Sequence, residues 1–180
     1  MRCVCIRAIG NVKEGDLSAI EAGMVRNLGF EPRRLAALPE PDYAYDSKRR
    51  QYSSVEVMRA FLAAAPGGDT KVLGITERDL FIPMLTFVFG QAQLGGRLAV
   101  VSLARLRQEF YGLPADESVL LGRALKEVNH ELGHTFGLAH CPDRNCAMSV
   151  STGIGEVDVK NAAWCASCSS LVRDSGGERT

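Results

Sequence analysis

The sequence predicts an α/β fold in which a mixed β-sheet is flanked by helices. Short runs rich in β-branched residues alternate along the chain with longer segments that start at capping residues. Clusters of glycine and proline, at residues 66–68 and 95–96, separate these segments. The chain has 180 residues, of which 46% are hydrophobic, so it is long enough to bury a core and we expect residues 1–180 to form a single domain.

Five segments have the composition of strands. They are residues 3–9, 30–38, 71–76, 85–89 and 98–103. On the first strand Cys3 and Cys5 alternate and share a face, so both are predicted to be buried core residues. Residues 39–52 are polar and contain two prolines, and we predict a surface loop there with the basic run 48–50 in solvent.

Start and stop signals predict three helices within residues 1–140. The first has Asp16 as its N-cap and ends at Leu28, before a glycine. The second is capped by Ser53 or Ser54 and runs to about residue 65. The third begins between residues 114 and 117, where a proline and acidic residues favour a helix start, and the polar tail 174–180 is expected to fray. The predicted buried face of the third helix carries Val119, Leu120, Ala124, Leu125 and Val128.

Composition and charge exclude several classes of function. The 21 basic and 21 acidic residues cancel, which gives no electrostatic case for binding nucleic acid or a membrane surface. No apolar segment is long enough to span a bilayer, and the N-terminal apolar run is too short for a signal peptide. We therefore expect a cytoplasmic protein without nucleic-acid or membrane partners. A reducing compartment favours metal binding by its cysteines over disulfide formation.

All three histidines lie in the run HELGHTFGLAH at residues 130–140. On a helix, His130 and His134 project from one face, one turn apart. Gly137 can end that helix in a left-handed conformation and so return His140 as a third ligand. Three imidazoles and one open position are typical of a catalytic zinc, and Glu131 would act on the water bound there. A bare HExxH can arise by chance, but the glycine and third histidine at fixed offsets favour the metal site.

Four cysteines follow the histidines as a C-x4-C pair, Cys141 and Cys146, and a C-x2-C pair, Cys165 and Cys168. Two such pairs can form a closed tetrahedral zinc site that links the turn after His140 to the final helix. Two disulfides, or a redox-active C-x2-C pair, are the alternatives. Because Cys141 directly follows His140, a structural zinc would also preorganise the third imidazole.

The joined histidine and cysteine motifs resemble those of the archaemetzincins, a group of metzincin zinc metallopeptidases. Met148, two residues after Cys146, stands where that family has the methionine beneath the metal. Segments 46–54, 72–81, 87–90 and 100–106 also look like archaemetzincin segments in the same order. One departure is Val150, which occupies the place of a tyrosine that stabilises the oxyanion or binds the metal in some metzincins.

The resemblance implies a compact metzincin-like zincin fold, with a mixed twisted sheet above the active-site helix and a C-terminal helix tied by a four-cysteine zinc site. An edge strand within residues 85–93 would run antiparallel to a bound peptide. The implied function is hydrolysis of peptide or protein substrates with two zinc ions per chain, one catalytic and one structural. Glu131 would be the general base. The alternative is a non-catalytic, zinc-stabilised peptide- or protein-binding module with the same fold, against which the retained Glu131 argues.

Overall fold

The computed structural model describes residues 2–175, and the remainder of the predicted fraying tail, 176–180, lies outside them. The strands are β1 (Arg2–Ile9), β2 (Phe30–Arg34), β3 (Tyr45–Asp46), β4 (Gln51–Ser53), β5 (Lys71–Thr76), β6 (Leu80–Phe81), β7 (Gly90–Ala92) and β8 (Leu98–Ser102). The helices are α1 (Glu14–Gly23), α2 (Ser54–Ala64), α3 (Glu117–Thr135), α4 (Ile154–Val159) and α5 (Ala166–Ser175).

The main sheet has the strand order β2-β1-β5-β8-β7. Its first four strands are parallel, and β7 pairs antiparallel to β8 at the edge. The sheet is therefore mixed, as predicted. Alternate residues of β1 enter two different clusters: Val4 and Ile6 pack with α1 and α3, whereas Cys5 and Ile9 pack with α2. The sheet is thus covered on both faces, which is how parallel strands are normally buried.

Cys3 is exposed, so the prediction that it lies in the core is wrong, whereas Cys5 is buried as predicted. The pairing of β1 with β5 begins only at Val4. Cys3 therefore projects from the end of the strand, before the part of this face that α2 covers. A residue at the end of a strand can therefore be exposed even where the strand itself is predicted correctly.

The first helix begins at Glu14, two residues before the predicted N-cap, and Asp16 makes no cap hydrogen bond. Its carboxylate instead accepts a hydrogen bond from Arg107, far away in sequence. The predicted end is confirmed: the last turn widens into a π-helix, Met24–Leu28, which stops at Gly29 with φ of +68°. Asp16 therefore forms a long-range ion pair with Arg107 instead of capping the helix.

Two predictions for the middle of the chain are wrong. The supposed loop at 39–52 contains β3 and β4, which form a second, three-stranded sheet with β6. The supposed strand at 85–89 makes only one isolated bridge, at Val88, and the edge strand begins at Gly90. Side chains hold this segment instead: Gln51 donates to the Thr86 carbonyl at 3.0 Å, and Arg49, itself exposed, donates to the Leu85 carbonyl at 2.9 Å.

Capping side chains set the starts of α2 and α3, and both the predicted cap of α2 and the predicted start of α3 are confirmed. The Ser53 hydroxyl accepts the N–H of Glu56 at 3.4 Å. Asp116 accepts the N–H groups of Ser118 and Val119 at 2.9 and 3.1 Å. No helix within residues 2–175 has the length and apolar character required to cross a bilayer. Of the predicted buried face of α3, four residues are buried and Val119 is partly buried; the four are Leu120, Ala124, Leu125 and Val128.

Candidate active site and metal centres

The three histidines converge at the C-terminal end of α3. His130 and His134 lie one turn apart on the helix, and their Nε2 atoms are 3.2 Å from each other. The helix ends at Thr135, Gly137 follows with a φ of +89°, and His140 returns toward the other two rings. One nitrogen from each ring lies within 4.8 Å of the other two. We call this set the histidine centre.

Backbone carbonyls fix the tautomers of two of these rings. His130 Nδ1 lies 2.8 Å from the Ala147 carbonyl, and His134 Nδ1 lies 2.8 Å from the Leu138 carbonyl. Because a carbonyl can only accept, each Nδ1 must carry the proton, which leaves the Nε2 lone pair for a metal. Burial lowers the pKa of His130 to about 3 and also lowers the pKa of His134 and His140. Three neutral imidazoles with free lone pairs fit zinc.

Glu131 is buried beside the histidine centre, where desolvation raises its pKa, with a further contribution from the carboxylate of Glu127. The edge strand passes directly over it. A Cβ at Gly90 would lie 2.6 Å from the Glu131 Cγ and 2.6 Å from the Val100 carbonyl oxygen. The absence of a side chain at position 90 therefore creates the space for Glu131, a role that sequence reasoning did not assign.

The histidine centre lies at the bottom of an open cleft of about 730 Å³. β7 and the segment before it line this cleft, and so do residues 150–152, which we call the cleft wall. Exposed apolar side chains, among them Leu85, Leu94 and Val150, line it. Within residues 2–175 no strand pairs with the outer edge of β7, so the expected edge strand within 85–93 is confirmed.

Met148 is fully buried beneath α3 and packs against Gly133, which lies between the first two histidines on the helix. A Cβ at Gly133 would overlap the Met148 sulfur and would lie 3.1 Å from Nε1 of Trp164. This position agrees with the methionine floor that the family resemblance implies, and it explains why the helix needs a glycine between His130 and His134.

The four cysteines predicted to bind zinc also come together, and we call them the cysteine centre. Their sulfur atoms lie within 4.8 Å of one another, and none is in a disulfide. Burial raises the pKa of the Cys146 and Cys168 thiols, whereas the backbone N–H of Cys168 lowers that of Cys165. A bound cation would hold all four as thiolates, so the donor set fits a closed zinc site. The four ligands would be Cys141, Cys146, Cys165 and Cys168.

One short segment of backbone serves both centres. Ala147, whose carbonyl accepts the His130 hydrogen bond, lies directly after Cys146. The N–H groups of Met148 and Cys165 point to the Cys146 sulfur at 3.5 and 3.2 Å. The Cys141 N–H donates to the Met148 carbonyl at 3.0 Å. Binding of a metal at the cysteine centre would therefore also fix the Ala147 carbonyl that orients His130.

Sequence reasoning missed a buried ion pair beside the cleft. Lys160 Nζ lies 2.8 Å from the Glu127 carboxylate, and their side chains are only 1% and 3% exposed. Glu127 could have been found, because it precedes Glu131 by four residues and therefore shares its helix face. Nothing in the sequence predicts that Lys160 folds back onto α3.

Comparison with known proteins gives the same assignment as this geometry. Residues 52–174 match the model of Peptidase family M54. An archaemetzincin from Methanocaldococcus jannaschii is 40% identical over 173 residues, which is 96% of this chain and 94% of the relative. The chain belongs to this family, the archaemetzincins. The predicted family, and with it a zinc-dependent metallopeptidase that acts on peptides or proteins, is confirmed.

Solved archaemetzincin structures confirm the metzincin-like fold. The crystal structure from Methanopyrus kandleri superposes with a TM-score of 0.83 at 38% identity, over 97% of this chain and 94% of that one. The structure from Archaeoglobus fulgidus, which was solved with malonate, gives a TM-score of 0.80 at 31% identity, over 94% of this chain and 99% of that one. The likeness therefore extends over nearly the whole chain.

Proposed function

We propose that this archaemetzincin cleaves peptide bonds at the histidine centre, with Glu131 as its general base and a second zinc at the cysteine centre. One observation carries the proposal. Two Nδ1 hydrogen bonds to carbonyls turn the free Nε2 atoms of His130 and His134 to a common point, beside a buried carboxylate at the bottom of an open cleft. This is the arrangement that hydrolysis by an activated water requires.

His130, His134 and His140 would hold the catalytic zinc. When bound, zinc supplies a Lewis acid and lowers the pKa of a water to about 7. The Glu131 carboxylate accepts the proton of that water and later donates it to the nitrogen of the leaving amine. Burial, which raises the pKa of Glu131, favours the protonated form between these two steps. Val150 offers no hydroxyl, so we assign no side chain to the oxyanion.

The substrate would bind along β7. The outer edge of this strand is unpaired within residues 2–175, and the strand lines the cleft. An extended peptide can therefore add to the sheet through main-chain hydrogen bonds, antiparallel to β7. Main-chain pairing gives affinity without selecting a sequence, and the apolar side chains of the cleft would contribute the preference for particular residues.

The test is cleavage of a diverse peptide library by zinc-loaded protein, followed by mass spectrometry, with Glu131→Gln as the matched control. Loss of a general base costs about 10²- to 10⁴-fold in rate, so cuts should come from the wild type alone. Elemental analysis should find two zinc ions in both proteins. A Glu131→Gln variant as active as the wild type would refute the role of the base. No cuts by folded, fully loaded wild type would instead favour the binding module.

A further inference from the structure

The buried ion pair between Lys160 and Glu127 has no role in the proposed reaction. Its two charged atoms are 2.8 Å apart, and both side chains are almost completely shielded from water. Burying two charges costs free energy that their mutual attraction recovers only with good geometry and further hydrogen bonds. The pair is therefore weak evidence that it stabilises the fold, and we look for its role in the parts of the molecule that it connects.

The ammonium of Lys160 contacts two parts of the catalytic cleft at once. It binds Glu127 of α3, one turn before Glu131 and itself part of the cleft lining. It also donates to the Ser149 carbonyl at 3.3 Å. Ser149 lies between Met148 and the cleft wall 150–152. One side chain therefore joins the helix that carries the proposed catalytic groups to the segment that leads directly into the cleft wall.

Backbone hydrogen bonds hold Lys160 in place to make this bridge. Its N–H donates to the Glu156 carbonyl at 3.2 Å, at the end of α4. The N–H of Asn161 donates to the Asn145 carbonyl at 2.9 Å. Separately, Arg123 and Asp158 tie the same two elements together at 2.7 Å, but Asp158 is 48% exposed and neither residue lines the cleft. The structure thus supplies, for comparison, a second ion pair between α3 and a residue close to Lys160 in the chain.

We propose that Lys160 is a positioning residue that holds the cleft wall 150–152 at a fixed distance from α3. The bridge to Ser149 sets the width of the cleft in which a substrate lies beside Glu131. The effect of Lys160 on catalysis rests on the proposed peptidase function. Its effect on the order of the cleft wall does not, and so it can be measured separately.

The test compares Lys160→Met with Asp158→Asn by hydrogen–deuterium exchange of zinc-loaded protein, read on peptides that cover residues 149–153. Loss of the bridge should speed amide exchange there about tenfold in Lys160→Met, and exchange in Asp158→Asn should match the wild type. In peptide cleavage, KM should rise about tenfold in a Glu127→Leu, Lys160→Met double variant while kcat stays within about threefold, because the two changes together remove the Glu127 charge that raises the pKa of Glu131 and the Lys160 charge that lowers it.

A double variant, Glu127→Leu with Lys160→Met, guards against misfolding, because it removes both charges from the interior. It should fold and still exchange rapidly at 149–153, since the Ser149 carbonyl has lost its donor. Wild-type exchange in this double variant would overturn the proposal and leave Lys160 as a counter-ion only. Equal acceleration in Asp158→Asn would also overturn it. If the wild type cleaves no peptide, these exchange results still decide the positioning role.

Discussion

The histidine and cysteine centres lie close together in the chain, but they are built differently. Two candidate ligands of the histidine centre come from one helix, and the third, His140, is exposed at the cleft. The cysteine centre joins two segments that are distant in sequence and has four candidate ligands, of which Cys146 and Cys168 are buried. An ion held by three ligands at an open cleft has a position left for water, whereas an ion held by four has none. The histidine centre is therefore suited to chemistry on a bound water, whereas the cysteine centre is suited to cross-linking the chain.

The two centres also differ in the protons that they hold before a metal arrives. Burial lowers the pKa values of the three histidines, so at pH 7 their rings are neutral and ready to bind. Burial raises the pKa values of Cys146 and Cys168, so these thiols keep their protons until a metal replaces them. Metal binding therefore releases protons at the cysteine centre and almost none at the histidine centre.

The largest expected effect follows from this difference: metal affinity should depend on pH much more steeply at the cysteine centre than at the histidine centre. Each released proton makes affinity fall about tenfold per pH unit on acidification, so two buried thiols give about a hundredfold per unit. Between pH 8 and pH 6 the cysteine centre should therefore weaken steeply, while the histidine centre changes little. Cobalt(II) titrations can follow both, because thiolate charge-transfer absorption reports the cysteine centre separately. Equal slopes for the two centres would contradict the assignment.

The shared backbone at 146–148 predicts that the centres are coupled. Cys165→Ser removes one thiolate and should loosen Cys146, and with it the Ala147 carbonyl that orients His130. Loss of such a partner of a metal ligand typically costs about 10- to 100-fold in affinity, and we expect that loss at the histidine centre. Zinc competition assays measure it, with Cys3→Ser as the control because Cys3 is exposed and outside both centres. Normal loading of the histidines in Cys165→Ser would exclude the coupling.

The features that the sequence predicts best are those set by residues close together in the chain. His130, His134 and Gly137 follow from helical spacing and a helix stop, and the cap of α2 and the start of α3 follow from the same local rules. The family resemblance then supplied the edge strand. Strands of two or three residues, such as β3 and β4, are too short to show periodicity, and so the second sheet was missed.

Contacts between distant segments could not be predicted. Gly90 meets Glu131, Arg107 takes Asp16 from its cap position, and Lys160 pairs with Glu127. Each of these contacts depends on how packed elements approach one another, and no local pattern records that approach. The sequence therefore identifies the groups proposed to perform the chemistry more readily than the groups that hold them in place.

The smallest expected effect concerns the packing under the histidine centre, and two glycines of α3 provide the comparison. A Cβ at Gly122 meets nothing within 4 Å, whereas a Cβ at Gly133 meets the Met148 sulfur and the indole of Trp164. Gly122→Ala should stabilise the protein by up to about 1 kcal/mol through helix propensity. Gly133→Ala should instead cost about 1–3 kcal/mol, because overpacking a filled core forces neighbours to move. Urea unfolding measures both variants, and a Gly133→Ala protein as stable as Gly122→Ala would show that Met148 yields freely and is no fixed floor for the imidazoles.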